Sequence, residues 1–164
     1  MSFLITKMAN SIEEIFQPNN HSRFEIKWKP VSLGVAEEIK QILTENYGIT
    51  SIQDISEVDE WEHNSNNFRV TYFNQDKRVG TSLLRKNILI KDQDTLEYIA
   101  MVGEFIRNEG VPIPSLLDTK DGKKQVRCGD FWWELSEFVP GDHFRGTENE
   151  LWEVARGVAL VHSA

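Results

Sequence analysis

Residues 65 to 85 read S-N-N-F-R-V-T-Y-F-N-Q-D-K-R-V-G-T-S-L-L-R, and this stretch restricts the fold more than any other. Phe68, Val70 and Tyr72 alternate with Arg69, Thr71 and Phe73 at the two-residue period of a strand. Asn74 to Arg78 supplies turn formers, and Thr81, Leu83 and Arg85 share one face of the strand that returns. The stretch is predicted to be an antiparallel hairpin that ends in a cation and is entered through a small polar turn, Ser65-Asn66-Asn67. The rest of the chain is read as support for that arrangement, which points to a lobe that handles phosphate.

The flanking segments fall into place around the hairpin. Residues 1 to 30 show no sustained period and contain the loop signal Gln17-Pro18-Asn19-Asn20, so an irregular arm is expected, with at most one short helix near residues 11 to 16. Val35, Ala36, Ile39, Ile42 and Leu43 recur at helical spacing ahead of Gly48, which predicts a helix over about 33 to 47. Ile52, Ile55 and Val58, spread among acids between Ser51 and Trp61, read as an edge strand.

A second helix is predicted from Asp94, with Leu96, Ile99, Ala100, Val102 and Ile106 as its buried stripe and Gly110 as its stop. The prolines of Val111-Pro112-Ile113-Pro114 force extended backbone after it. Two hairpins are expected next, turning at Asp121-Gly122 and Gly129-Asp130. The last strand sets Trp133 and Leu135 against Trp132 and Glu134 before Pro140-Gly141 ends it. Thr147-x-x-Glu150 forms a capping box for a final helix carrying Leu151, Val154, Ala155, Val158 and His162 at helical spacing. The expected class is α+β, with about five antiparallel strands and one helix packed on them.

Charge and cysteine content remove several classes of function. The 18 basic against 26 acidic residues give a net charge of −8, which opposes binding to a nucleic-acid backbone or an anionic membrane. Cys128 is the single cysteine, so no intrachain disulfide or thiolate metal site can form, and a reducing compartment is the natural reading. Phe3-Leu4-Ile5 is too short for a secretory core, and no window approaches a membrane span, so a cytoplasmic protein is expected. Asp92-Gln93-Asp94 has the form of a metal-binding D-x-D, but its place just before a helix makes it a cap. His21, His63, His143 and His162 lack metal-ligand spacing.

The order V-T-Y-F, S-L-L-R-K, a helix, G-V-P-I-P-S-L-L-D-T-K-D-G, F-W-W-E-L-S-E-F-V-P-G and A-R-G-V-A-L-V-H resembles the N-terminal part of the aminoglycoside phosphotransferase and choline kinase family, over roughly residues 60 to 162. The resemblance implies a protein-kinase-like N-terminal lobe at 31 to 140, preceded by the arm and followed by the hinge exit and the start of a second lobe at 141 to 164. It implies ATP as the bound nucleotide. Arg85 matches the strand-borne cation that contacts phosphate, a role that suits a planar guanidinium with a permanent charge. Lys86, on the opposite face, takes that role if the register shifts by one. Glu97 is the nearest carboxylate to the family's helical Glu, whose usual place, counted back from Gly110-Val111-Pro112, falls on Tyr98 or Ile99.

Ser65 and Asn66 fall where the family's phosphate-covering loop lies, here without glycine. Val70 matches the residue that roofs the adenine, and the Ser136 carbonyl and Phe138 amide match the hinge groups that bond its edge. The family's H-x-D-x-x-x-x-N loop and following D-x-D do not occur in these 164 residues. The expectation is therefore a nucleotide-binding lobe, hinge and first helix of a second lobe, without turnover alone. Magnesium and an acceptor hydroxyl of a sugar, aminoglycoside or amino alcohol would engage only with the remaining lobe. The alternative is a non-catalytic module that pairs with another chain through the 148 to 162 helix face of Leu151, Val154 and Val158.

Overall fold

The alternation in the hairpin becomes two central strands of a six-stranded antiparallel sheet. The computed structural model of the protein describes residues 27–58, 65–74, 76–141 and 146–163. The strands are β1 (Trp28–Pro30), β2 (Ser51–Val58), β3 (Ser65–Phe73), β4 (Val79–Asn87), β5 (Gln125–Cys128) and β6 (Phe131–Glu137), ordered β1-β2-β3-β4-β6-β5. Three helices accompany them: α1 (Leu33–Ile42), α2 (Gln93–Asn108) and α3 (Glu148–Ser163). The α+β class with an antiparallel sheet is as predicted.

Register decides which residues share a face. Leu84 pairs with Phe68 on one side and Leu135 on the other, Val70 with Ile55, and Trp133 with Val126. These residues, with Ile39, Ile42 and Leu43 from the first helical segment, form the buried core. The helical spacing seen in the sequence is therefore the spacing that lays α1 on this face. α1 continues into a wider π turn over Leu43–Tyr47, closed where Gly48 adopts a left-handed φ of 71°. That conformation favours glycine because it has no Cβ.

The opposite face carries Arg69, Leu83, Arg85, Glu134 and Ser136, and α2 lies over it. Asp92 starts α2 by accepting from the Thr95 amide at 2.9 Å and its hydroxyl at 2.6 Å. Gln125 Nε2 donates to the Leu96 carbonyl and Trp132 Nε1 to the Lys91 carbonyl, so strand side chains hold the start of the helix by its backbone. Of the apolar stripe predicted for α2, Leu96 is buried while Ile99 stays 50% exposed. The face beneath is polar, and it needs hydrogen bonds more than an apolar cover.

Three other expectations are corrected. The sheet has six strands because Trp28–Pro30, inside the segment read as irregular, pairs with Val58 to Ser56. β2, expected as an edge, is therefore interior where β1 pairs with it, at Ser56 to Val58. A three-residue strand ending in proline leaves no period to read. The segment before Asp121 does not form a strand of its own. It touches β6 through a bridge at Leu116–Ser136, a 2.8 Å bond from the Leu117 amide to the Leu135 carbonyl, and a 3.0 Å bond from the Glu137 amide to the Ser115 carbonyl. The short helix expected near residues 11 to 16 lies outside the described residues.

The capping box forms as read, with the Glu150 carboxylate accepting from the Thr147 amide and hydroxyl at 2.9 Å. No residue of α3 is buried among the described residues. Among the described residues no helix is long and apolar enough to cross a membrane.

Candidate functional site

Arg85 is the fixed point of the polar face. Its Nη1 lies 3.1 Å from Glu134 Oε1, and its Nε donates to Asn67 Oδ1 at 3.2 Å. Both partners stand directly opposite Arg85 in the register, on β6 and β3. Glu134 is a carboxylate set in a run of buried aromatic and aliphatic residues, its side chain only 11% exposed, so a cation beside it is a physical requirement. The Arg85 side chain is 45% exposed, which limits what the pair adds to stability while leaving guanidinium donors open to an anion. A cavity of about 230 Å³ opens beside it, lined also by Glu104, Arg107, Ile113 and Ser115.

The structure separates several residues that the sequence reading grouped. Glu97 does not meet Arg85; it accepts from Gln93 at 2.6 Å and lines a different cleft, of about 570 Å³, with Lys123 and Arg127. The carboxylate of α2 at the Arg85 cavity is Glu104, seven residues and about 10.5 Å further along the helix. Glu134, from β6, takes the pairing role expected of a helical Glu. Its signal was present in the sequence as an acid inside the apolar run Trp132 to Leu135.

Val70 is fully buried in the core, on the face turned away from Arg85, so it cannot meet a ligand held there. On the Arg85 face the neighbouring positions are Arg69 and Leu83, paired with each other. Counting alternation outward from the Arg85–Asn67 pair would have placed them. Ser65 and Asn66 lie within β3, opposite Asn87 and Lys86, and not in a covering turn. Residues 59 to 64, ahead of them, lie outside the described residues. Lys86 projects to the α1 side, 3.4 Å from Glu38 and over the rings of Phe131 and Trp133.

The segment after β6 closes one side of the polar face. Ser136 pairs with Leu83, and Phe138 sets its ring against Trp28 of β1, centroids 6.0 Å apart. Glu137 fastens this segment to the Pro112–Pro114 stretch through the Ser115 amide at 3.2 Å. That hydrogen bond, helped by Arg107, holds the Glu137 carboxyl below its ordinary value of 4.5. A group with a depressed folded pKa contributes stability that is complete above the unfolded value and disappears as the pH falls through the folded one. Glu137→Gln is therefore expected to flatten the loss of melting temperature below about pH 4.5. Parallel melting curves for variant and wild type between pH 5 and pH 3 would count against this contact.

The sequence matches no protein-family profile and no curated protein. In structure the chain is similar to spectinomycin phosphotransferase, APH(9)-Ia, solved in complex with ADP and spectinomycin, with a TM-score of 0.56 at 12% sequence identity. The match covers 73% of this chain and 33% of that one, so the chain spans about a third of the length of the structure it matches. At this identity the likeness is one of fold, that of a kinase-like N-terminal lobe.

Proposed function

We propose that this chain is the nucleotide-binding lobe of an ATP-dependent small-molecule phosphotransferase. The observation that carries the reading is Arg85, a half-exposed guanidinium fixed by Glu134 and Asn67 on the sheet face that Ser136 and Phe138 border. The likeness in fold to a phosphotransferase solved with ADP supports it. In this reading the guanidinium bonds phosphate oxygens bidentately, and the Ser136 carbonyl and Phe138 amide bond the adenine edge. In this reading magnesium would be held by residues of the remaining lobe.

Transfer to a hydroxyl of a sugar, aminoglycoside or amino alcohol would then be completed by residues outside these 164, with 31 to 140 as the first lobe and 141 to 164 leading into the second. Calorimetry and thermal melting with ATP and ADP test the reading. At a hundred times Kd, bound nucleotide adds about 2.7 kcal/mol, or about 5 to 10 °C for a chain of this size. A melting temperature unmoved by millimolar ATP and ADP would sink it.

A second reading rests on α3, whose Leu151, Val154 and Val158 are each about half exposed. It makes the chain a non-catalytic module that pairs with a second copy through this face. Sedimentation at tens of micromolar decides: a dimer dissociated by Val154→Asp supports pairing, and a monomer excludes it.

A further inference from the structure

The cleft of about 570 Å³ that Glu97 lines opens between α2 and the segment from Thr119 to Arg127, and its volume is that of a small-molecule site. Lys120 ties this segment to the first helical segment, its amide on the Asn46 carbonyl at 2.7 Å and its Nζ on the Thr44 carbonyl at 2.8 Å. The start of α2 is held separately, by Gln125 and Trp132. Val126 and Trp132, both buried, give the cleft an apolar floor, and the exposed Met101 stands at its rim.

The charges of the cleft are sorted by wall. Its four cations, Lys120, Lys123, Lys124 and Arg127, all belong to the 119 to 127 segment. Of its four acids, Glu97 and Glu104 stand seven residues apart on the stripe of α2 turned to the cleft, Glu45 belongs to the π turn, and Asp121 alone shares the basic wall. Among the described residues no ion pair crosses from one wall to the other. Glu97 accepts from Gln93 and Glu104 lies 3.9 Å from Arg107, both within α2. On the facing wall Lys124 pairs with Asp118. Arg127 Nε is 3.4 Å from the Gly129 carbonyl, which leaves its terminal nitrogens open, and Lys123 Nζ has no partner among the described residues.

We propose that this cleft binds a small zwitterion, a free amino acid or short peptide with an apolar side chain, its ammonium group toward Glu97 and its carboxylate toward Lys123 and Arg127. Equal numbers of acids and bases give no net preference for an anion or a cation. Their separation onto facing walls rewards a molecule that carries both charges, because each end then makes a charge-assisted hydrogen bond that a singly charged ligand makes at one end only. Glu97, Lys123 and Arg127 line this cleft and not the Arg85 cavity, so the inference stands apart from the nucleotide reading.

The test is calorimetry on the full chain with leucine and leucylleucine, each compared with two capped forms. The N-acetyl compounds lack the ammonium charge, and the amides lack the carboxylate. Binding of either zwitterion at millimolar concentration, weakened about tenfold by each cap as one hydrogen bond to a charged group is lost, supports the proposal. A preference between leucine and leucylleucine then names free amino acid or peptide as the source. Glu97→Gln is expected to weaken the zwitterions by a similar factor and leave the N-acetyl compounds unchanged, whereas Lys123→Met weakens the zwitterions and spares the amides. Both side chains are exposed and lie outside the core, so both variants keep the fold. The proposal is overturned if neither zwitterion binds, if a capped form binds as tightly as the free one, or if both variants retain wild-type affinity for the zwitterions.

Discussion

Replacing Trp133 by alanine is expected to remove about 3 to 5 kcal/mol of folding stability, a large part of the 5 to 15 kcal/mol that holds a domain together. The indole is fully buried, stacked on Phe68 at 5.9 Å and 25°, and forms the centre of the face that α1 covers. Lys86 also sits 4.8 Å over it, so truncation removes a platform for a partly buried cation as well as filling from the core. Trp133→Phe should cost much less, for two reasons. It keeps most of the volume, and it deletes an indole N–H that is buried without a partner among the described residues. Urea unfolding followed by circular dichroism reads both variants. An alanine variant within about 1 kcal/mol of wild type would show that the site collapses around the cavity instead of retaining it.

The second large effect concerns binding. Arg85→Ala is expected to reduce ATP affinity by roughly 10- to 150-fold, the equivalent of the ~1.5 to 3 kcal/mol carried by a hydrogen bond to a charged group. The variant also leaves Glu134 buried without its cation, so its own melting temperature falls. The quantity to compare is therefore the ligand-induced rise within each variant, not the absolute midpoint. Glu134→Gln provides the control, since it loosens the guanidinium without removing it and should keep ATP affinity within a few-fold of wild type. If Arg85→Ala retains the full ATP-induced rise, Arg85 is a structural partner of Glu134 and nothing more.

Much of the fold was legible because its signals are local. The period in Phe68 to Phe73, the glycine turn at Gly129 and the capping box at Thr147 each specify their element within a few residues. What escaped depends on pairing between distant segments. β1 is too short to show a period, and the Leu116 bridge to Ser136 is made by a proline-rich stretch that no strand rule would select. The candidate site was legible as one residue, Arg85, and not as a constellation. Glu134 and Asn67 reach Arg85 only through register, and register also put Val70 on the core face, turned away from Arg85. A one-residue step along a strand reverses the face a side chain occupies, so a site assembled across three strands is fixed by parity.

The brevity of β1 has a consequence for the chain's behaviour in concentrated solution. An open sheet tends to recruit further strands at its margin, and the next strand inward, β2, offers eight residues with Ile52 and Ile55 among them. Among the described residues β1, made of Trp28, Lys29 and Pro30, pairs with only Ser56 to Val58 of that margin. Three residues are too few to template a neighbouring chain, the lysine brings charge, and the proline has no amide hydrogen to offer. The strand that delivers an aromatic ring to the polar face thus also blunts, at Ser56 to Val58, an edge that could otherwise accept another chain.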